Sequence, residues 1–219
     1  ENLRFHADLF GIPRAERDRK AAELLTFSRL EPFAKRLCRN LSGGMRQKLA
    51  LCAALIHRPE VLFLDEPTIG VDPVSRREFW LLIYQLLQQG LTLLVSTPYL
   101  DEAERCHRVG LMDRGHLVAC DTPPRLREIL PGTVLELRGP APEAISALLS
   151  RLPEVREAQV FGDTLHLVVT DAMRDSARIR TVLQGQGVVD VQLRPIVPSL
   201  EDVFVALLRQ RSPGTLVRD

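Results

Sequence analysis

The 219-residue sequence has no apolar run that would cross a bilayer. Its longest, Leu49 to Ile56, falls far short of the roughly 20 residues a spanning helix needs. Charge of one sign is also missing. Lys and Arg number 29 against 28 Asp and Glu, a net charge of +1. Electrostatics therefore give no reason to expect nucleic acid or an anionic membrane surface as a partner. The 4 cysteines, Cys38, Cys52, Cys106 and Cys120, form no C-x-x-C pair, which fits a reducing compartment better than a disulfide framework. Neither an internal repeat nor a basic segment leading into an apolar one is visible. What remains is a soluble chain, or one held peripherally through a partner. Its length suits one large domain or two small ones, and 45% apolar residues can form a real core. The opening ENLRFHADLF already reads as the middle of a helical region, so the chain is expected to start inside a larger protein.

Periodicity predicts helix over residues 2–30, with a second helix starting near Pro13 and an apolar stripe of Ala21, Leu24 and Leu25. The charge run Arg14 to Lys20 reads as a solvated face. A helix from Ser42 to about His57 comes next, then VLFL (61–64), whose unbroken apolar pattern predicts a strand covered on both faces. Pro73 opens a helix to about Gln89 with Phe79, Leu82, Ile83 and Leu86 inward, and Trp80 is expected to pack. A strand over 91–96, short strands near 108–113 and 116–120, and a helix from Pro123 to about Leu130 complete this part. The pattern changes at Pro131-Gly132. Strand 133–138, helix 142–151, strands 155–161 and 164–169, helix 173–184 and strand 188–194 give the βαββαβ order of a small ferredoxin-like domain. A helix from Ser199 to Gln210, capped by Ser199 and Asp202, precedes a tail over 212–219.

Two stretches carry chemistry. In LSGGMRQK, Leu41 to Lys48, Ser42, Gly43 and Gly44 open a helix whose first N–H groups have no partner within the helix. Two glycines let a ligand approach the backbone, so this end suits a phosphate, although an ordinary N-cap with a tight turn has the same letters. In VLFLDEPT, Val61 to Thr68, a buried strand ends in adjacent carboxylates. Asp65 is placed to hold Mg²⁺ through water, and Glu66 to orient or deprotonate a water for phosphoryl transfer. A pair of solvated carboxylates before a Pro turn is the plainer alternative. Cys106, His107, His116 and Cys120 match no zinc-module spacing and are expected to pack as strand residues in a core. His6 and His57 have no neighbours in sequence that point to catalysis.

Taken together, LSGG, a helix of about a dozen residues, an apolar strand ending in Asp-Glu, and GVDP (Gly70 to Pro73) form a long composite. It resembles the signature motif, Walker B and D-loop of the ATP-binding cassette (ABC) family, in order and spacing over residues 1–130. The fold implied is α/β. It comprises a partial P-loop NTPase cassette, with helical subdomain 1–57 and part of a RecA-like core 58–130, then an accessory domain 131–211 and a tail 212–219. In that family two cassettes sandwich ATP head to tail. The resemblance implies that Leu41, Ser42, Gly43, Gly44 and Met45 serve the opposite cassette's γ-phosphate. Asp65 and Glu66 would serve the chain's own site as Mg²⁺ ligand and general base, and Asp72 would couple the two. The PSLEDVF stretch, Pro198 to Phe204, is similar to the tail of cassettes that serve ABC-2-type exporters; some of these carry two cassettes in tandem, the first often degenerate, and this chain resembles that first cassette. The implied cofactors are ATP and Mg²⁺. The implied partners are a second cassette, in a homodimer or in tandem, and an ABC-2-type transmembrane permease, with no nucleic acid. The implied location is cytoplasmic, on the inner face of the cell membrane through that permease.

Two departures stand out. No G-x-x-x-x-G-K-[ST] occurs in the sequence; Gly110 and Gly115 have the spacing but are followed by His116-Leu117. Truncation is the simplest expectation, and these residues alone should bind ATP poorly and be inactive. The strand after the D-loop should end in a histidine that contacts the γ-phosphate, and Pro98 holds that place. Asp101, Glu102 and Ala103 continue the family's pattern, so the alignment has not slipped, and the chain's own site is expected to be hydrolytically weak. Two other functions compete. One is a non-catalytic regulatory module, against which the intact Glu66 argues. The other is a soluble ABC ATPase of DNA repair or translation, against which the absence of inserted coiled coils and basic segments argues.

Overall fold

The computed structural model describes residues 1–188 and 190–211, apart from the side chain of Gln210. The expected tail at 212–219 lies outside the described residues, as does Val189 of the expected strand 188–194. The chain divides into two compact units, the first spanning Glu1–Pro98 and the second starting at Tyr99. No described helix is long and apolar enough to cross a membrane.

The first unit contains α1 (Asn2–Leu9), α2 (Arg14–Phe27), α3 (Gly43–Leu55), β1 (Val61–Asp65), α4 (Pro73–Gln88) and β2 (Thr92–Ser96). The helical stretch expected over 2–30 is two helices, the second starting beside Pro13 as expected and ending at Phe27. Gly11 takes φ 65°, open to glycine at no steric cost, and Pro13 caps α2 rather than lying inside it. Leu3, Ala21, Cys52 and Ala53 form the small core that joins α1, α2 and α3. The charge run on α2 is not a uniformly solvated face. Arg17 reaches across to Asp8 of α1 at 2.8 Å and also pairs with Asp18. Lys20, only 9% exposed, pairs with Glu16. Each of these cations, close to an apolar core, has a carboxylate beside it, the usual condition for burying a cationic side chain. Between α3 and α4 the Lys48 ammonium meets Glu78 at 2.5 Å.

Strands β1 and β2 form a two-stranded parallel sheet, in register from Val61–Thr92 to Asp65–Ser96. The expectation that VLFL is covered on both faces fails among the described residues. Leu62 is buried, but Phe63 is 71% exposed and its cross-strand neighbour Leu94 is 61% exposed. Composition alone cannot distinguish the two cases. An apolar side chain on a strand is buried only where another element lies over its face, and in the first unit the Phe63–Leu94 face has none. On α4, Phe79, Trp80, Leu82, Ile83 and Leu86 are buried, as the periodicity predicts.

The second unit contains α5 (Leu100–Ala103), a hairpin of β3 (Val109–Asp113) and β4 (His116–Asp121), and α6 (Pro123–Arg127). It continues with β5 (Thr133–Arg138), α7 (Pro142–Leu149), β6 (Val155–Phe161), β7 (Thr164–Val169), α8 (Ala172–Gly185), β8 (Gln192–Ile196) and α9 (Leu200–Arg211). The four later strands form an antiparallel sheet of order β6-β7-β5-β8, the arrangement a ferredoxin-like βαββαβ chain produces. The last strand starts at Gln192, later than its apolar pattern predicts. Gly187 and Asp190 both take positive φ, which keeps the chain turning before it can extend along β5. Leu135, Leu137, Leu165 and Leu167 face one way into a core with Ile145, Leu149, Ile179 and Leu183 of α7 and α8. Val134 and Val168 face the other way, into a second core with Leu111, Leu126, Leu200 and Val203. Residues 99–130 thus pack with the sheet that follows Pro131-Gly132. Of the four residues with unproductive metal spacing, Cys106 is half-buried against that second core. His107, His116 and Cys120 are exposed, contrary to the expectation that all pack inside; His107 lies in the loop before β3, and His116 and Cys120 lie on the open outward face of β4.

Helix α9 is fixed by the expected capping pair and by a partner the sequence does not announce. The Ser199 amide and hydroxyl both donate to Asp202 Oδ2 at 2.7 Å, and Asp202 Oδ1 lies 2.7 Å from His166 Nδ1 on β7. Burial alone would raise the Asp202 pKa. The hydrogen bonds from His166 and Ser199 together outweigh it, and the carboxyl titrates below the usual aspartate range. A lowered folded pKa stabilises the fold above the ordinary aspartate value of about 3.9, and that contribution is lost as pH falls through the lowered value. Urea unfolding at successive pH values is expected to show the second unit weakening below about pH 3.9, and Asp202→Asn is expected to flatten that acid limb. An acid limb that Asp202→Asn leaves unchanged would remove Asp202 as its cause.

Candidate functional site

Helix α3 begins at Gly43 with Ser42 as its cap. The Ser42 hydroxyl accepts from the Met45 amide at 3.3 Å, and the first intrahelical bond runs from the Arg46 amide to the Ser42 carbonyl at 2.9 Å. The Gly43 and Gly44 amides precede that bond and point off the helix end, where the helix dipole favours an anion. Leu41 is buried and its carbonyl accepts from Arg46 Nη1 at 2.8 Å; Ser42 is exposed and Met45 half-buried.

The two glycines differ in a way their letters do not reveal. A Cβ on Gly43 would lie 3.6 Å from the Gly70 carbonyl oxygen, an ordinary contact. A Cβ on Gly44 would lie 2.4 Å from the Ser75 Cβ and 2.5 Å from its Oγ. Gly44 is therefore required by the close approach of α3 to α4, independently of any ligand. The same contact brings the start of α3 against Gly70, Val71 and Ser75, the turn that carries Asp72. Asp72 caps α4 by accepting from the Ser75 amide at 2.9 Å. That backbone bond, with the Ser75 side chain, holds the Asp72 carboxyl below its ordinary pKa.

Asp65 ends β1 and Glu66 follows it, both exposed. They lie at the carboxyl edge of a parallel strand pair, the edge where open α/β sheets bind ligands. Glu66 takes φ 45°, a left-handed conformation rare outside glycine and costing on the order of 1–3 kcal/mol. Its amide donates to the Ser96 carbonyl at 3.0 Å, and its carbonyl accepts from the Ile69 amide at 3.3 Å. The Ser96 hydroxyl donates to Asp65 Oδ1. Pro98 is exposed two residues further on and offers no side-chain donor. The residues fall into two groups, Leu41 to Met45 with Asp72's turn, and Asp65 with Glu66 and Ser96. The sequence reasoning missed Ser75 and Ser96. Ser96 was legible in part, as the polar residue that ends the strand expected over 91–96, but its pairing with Asp65 needs the register of the two strands.

Two carboxylates form a hard-oxygen donor set, and among the described residues no group of three or more His, Cys, Asp or Glu forms a metal cage. That pair fits Mg²⁺, which keeps several waters and binds through one or two carboxylates together with phosphate oxygens.

Comparison with known proteins adds the context. A family model described as ABC transporter matches residues 1–69. The probable multidrug ABC transporter ATP-binding protein YbhF of Escherichia coli (strain K12) is 38% identical over 211 residues, 95% of this chain and 36% of that protein. The chain thus spans about a third of YbhF's length. The daunorubicin resistance ATP-binding protein DrrA2 of Streptomyces coeruleorubidus is 34% identical over 226 residues, 100% of this chain and 70% of that protein. Among solved structures, an ATP binding subunit of an ABC transporter superposes with a TM-score of 0.51 at 29% identity, over 58% of this chain and 54% of that one.

Proposed function

This chain belongs to the ATP-binding proteins of ABC transporters, and from that premise we propose that its residues contribute to two ATP sites of a transport-coupled ATPase. Asp65 and Glu66 serve the chain's own site. Leu41 to Met45 serve the site of a partner cassette, in a homodimer or in tandem. The observation that carries this is the pair Asp65–Glu66 at the carboxyl edge of β1 and β2, with a free helix end on α3 packed against the Asp72 turn. Asp65 would hold Mg²⁺ there with ATP, and the ion would supply charge neutralisation on the phosphates. Glu66 aligns a water and accepts its proton as the water attacks the γ-phosphate. The Ser42 hydroxyl and the Gly43 and Gly44 amides receive the partner's γ-phosphate. Asp72, held ionised as the cap of α4, links the signature end to the Walker B strand. The cycle drives an ABC-2-type permease that exports its substrate, and the chain works on the cytoplasmic face of the membrane through that permease. The names of YbhF, a probable multidrug ABC transporter ATP-binding protein, and DrrA2, a daunorubicin resistance ATP-binding protein, support an export role.

Pro98 makes the chain's own site the weaker of the two. Its pyrrolidine ring provides no hydrogen bond at the strand end beside Ser96 and Asp65. Losing one positioned phosphate contact costs on the order of 10²-fold in rate. In the full-length protein Pro98→His is expected to raise ATP turnover, by up to about 10²-fold where this site limits. Unchanged steady-state turnover in that variant would contradict the asymmetry.

A further inference from the structure

We propose that Ser96 is a positioning residue for both Walker B carboxylates, its hydroxyl fixing the Asp65 side chain while its backbone holds the Glu66 peptide. The inference rests on the ATPase role given above. Parallel register places Ser96 directly beside Asp65, so the two side chains project from the same open face of the strand pair as Phe63 and Leu94. A serine hydroxyl has one proton to give and two lone pairs to receive. Here the proton goes to Asp65 Oδ1. The Glu66 amide, 3.0 Å from the Ser96 carbonyl, is also 3.3 Å from the Ser96 Oγ and shares its hydrogen between them.

This has two effects. Asp65 is exposed, and without a partner its carboxylate would exchange among staggered rotamers. With Oδ1 engaged, Oδ2 is left for the cation or its water. Glu66 stands in a left-handed conformation that only the surrounding hydrogen bonds can maintain, and two of them come from Ser96. Alanine at 96 would keep the backbone bond to Glu66 and remove the hydroxyl. Threonine would keep the hydroxyl and suit a strand. Loss of a partner that orients a metal-bound carboxylate typically weakens metal affinity 10–100-fold.

The test measures Mn²⁺ binding to the ATP-loaded full-length protein by electron paramagnetic resonance, and ATP binding without metal, in wild type, Ser96→Ala, Ser96→Thr and Asp65→Asn. Ser96→Ala is expected to weaken Mn²⁺ binding by about 10-fold or more, leaving metal-free ATP binding as in wild type. Ser96→Thr is expected to restore Mn²⁺ affinity, and Asp65→Asn to weaken it at least as much as Ser96→Ala. If Asp65→Asn is weak and Ser96→Ala matches wild type, Ser96 positions nothing and the ATPase assignment stands. Ser96→Thr no better than Ser96→Ala would also overturn the role of the hydroxyl. Asp65→Asn matching wild type would overturn the Mg²⁺ assignment and the Ser96 role together.

Discussion

Glu66→Gln in the full-length protein is expected to lower ATP turnover by on the order of 10²–10⁴-fold while ATP binding stays near the wild-type level. The substitution is close to isosteric and removes only the ability to take a proton. Glu66 reaches its position through backbone geometry, at φ 45° with its amide held by Ser96 and its carbonyl bonded to the Ile69 amide. None of those bonds uses the side-chain carboxylate, so glutamine should occupy the same place. Steady-state turnover measured beside equilibrium ATP binding separates the outcomes. Loss of both would indicate a disturbed fold. Turnover at the wild-type level would remove Glu66 as the base and return the pair Asp65–Glu66 to ordinary solvated carboxylates.

The second large effect concerns the signature glycines, which should separate sharply. Gly44→Ala puts a methyl group 2.4 Å from the Ser75 Cβ, a distance that real Cβ atoms do not tolerate. Helix α3 must move away from α4, at a cost of about 1–3 kcal/mol of the kind overpacked contacts carry. The shift displaces the phosphate-facing helix end from the Asp72 turn, and ATP turnover should fall with it. Gly43→Ala meets only the Gly70 carbonyl oxygen at 3.6 Å, so its stability should stay near wild type whatever happens to turnover. Thermal unfolding of the two variants checks the contrast. Ser75→Gly removes the atoms in conflict and should recover most of the stability that Gly44→Ala loses. Equal destabilisation by both alanines, or no recovery with Ser75→Gly, would mean that the α3–α4 approach does not explain Gly44.

Most elements were legible because their ends are marked by residues with a mechanical reason to be there. Ser42, Asp72 and Thr122 cap helices, Pro73 and Pro123 open them, and Gly162 turns the β6–β7 hairpin at φ 59°. The βαββαβ order followed from alternation such as Leu165, Leu167 and Val169 along β7, the residues that face the core under α7 and α8. What the sequence concealed depends on which elements come together in space. Phe63 and Leu94 look like core residues until nothing is found over them. Arg17 and Lys20 look solvated until Asp8 and Glu16 are found beside them. Gly44 reads as a ligand contact until Ser75, far along the chain on α4, is found where a β-carbon would go. In the candidate site, the motif residues Ser42, Gly43, Gly44, Asp65, Glu66 and Asp72 were all visible in sequence order. Their supports, Ser75 and Ser96, were not, because a lone serine has no pattern and gains meaning only from strand register or helix contact.

The most direct test is a cryo-EM structure of the full-length Glu66→Gln protein with ATP and Mg²⁺. The γ-phosphate of one ATP is expected within hydrogen-bond distance of the Ser42 hydroxyl and the Gly43 and Gly44 amides, with Asp65 and residue 66 facing the γ-phosphate and Mg²⁺ of a different ATP. Nucleotide bound away from both groups, or a single ATP touching both within one chain, would contradict the two-site assignment.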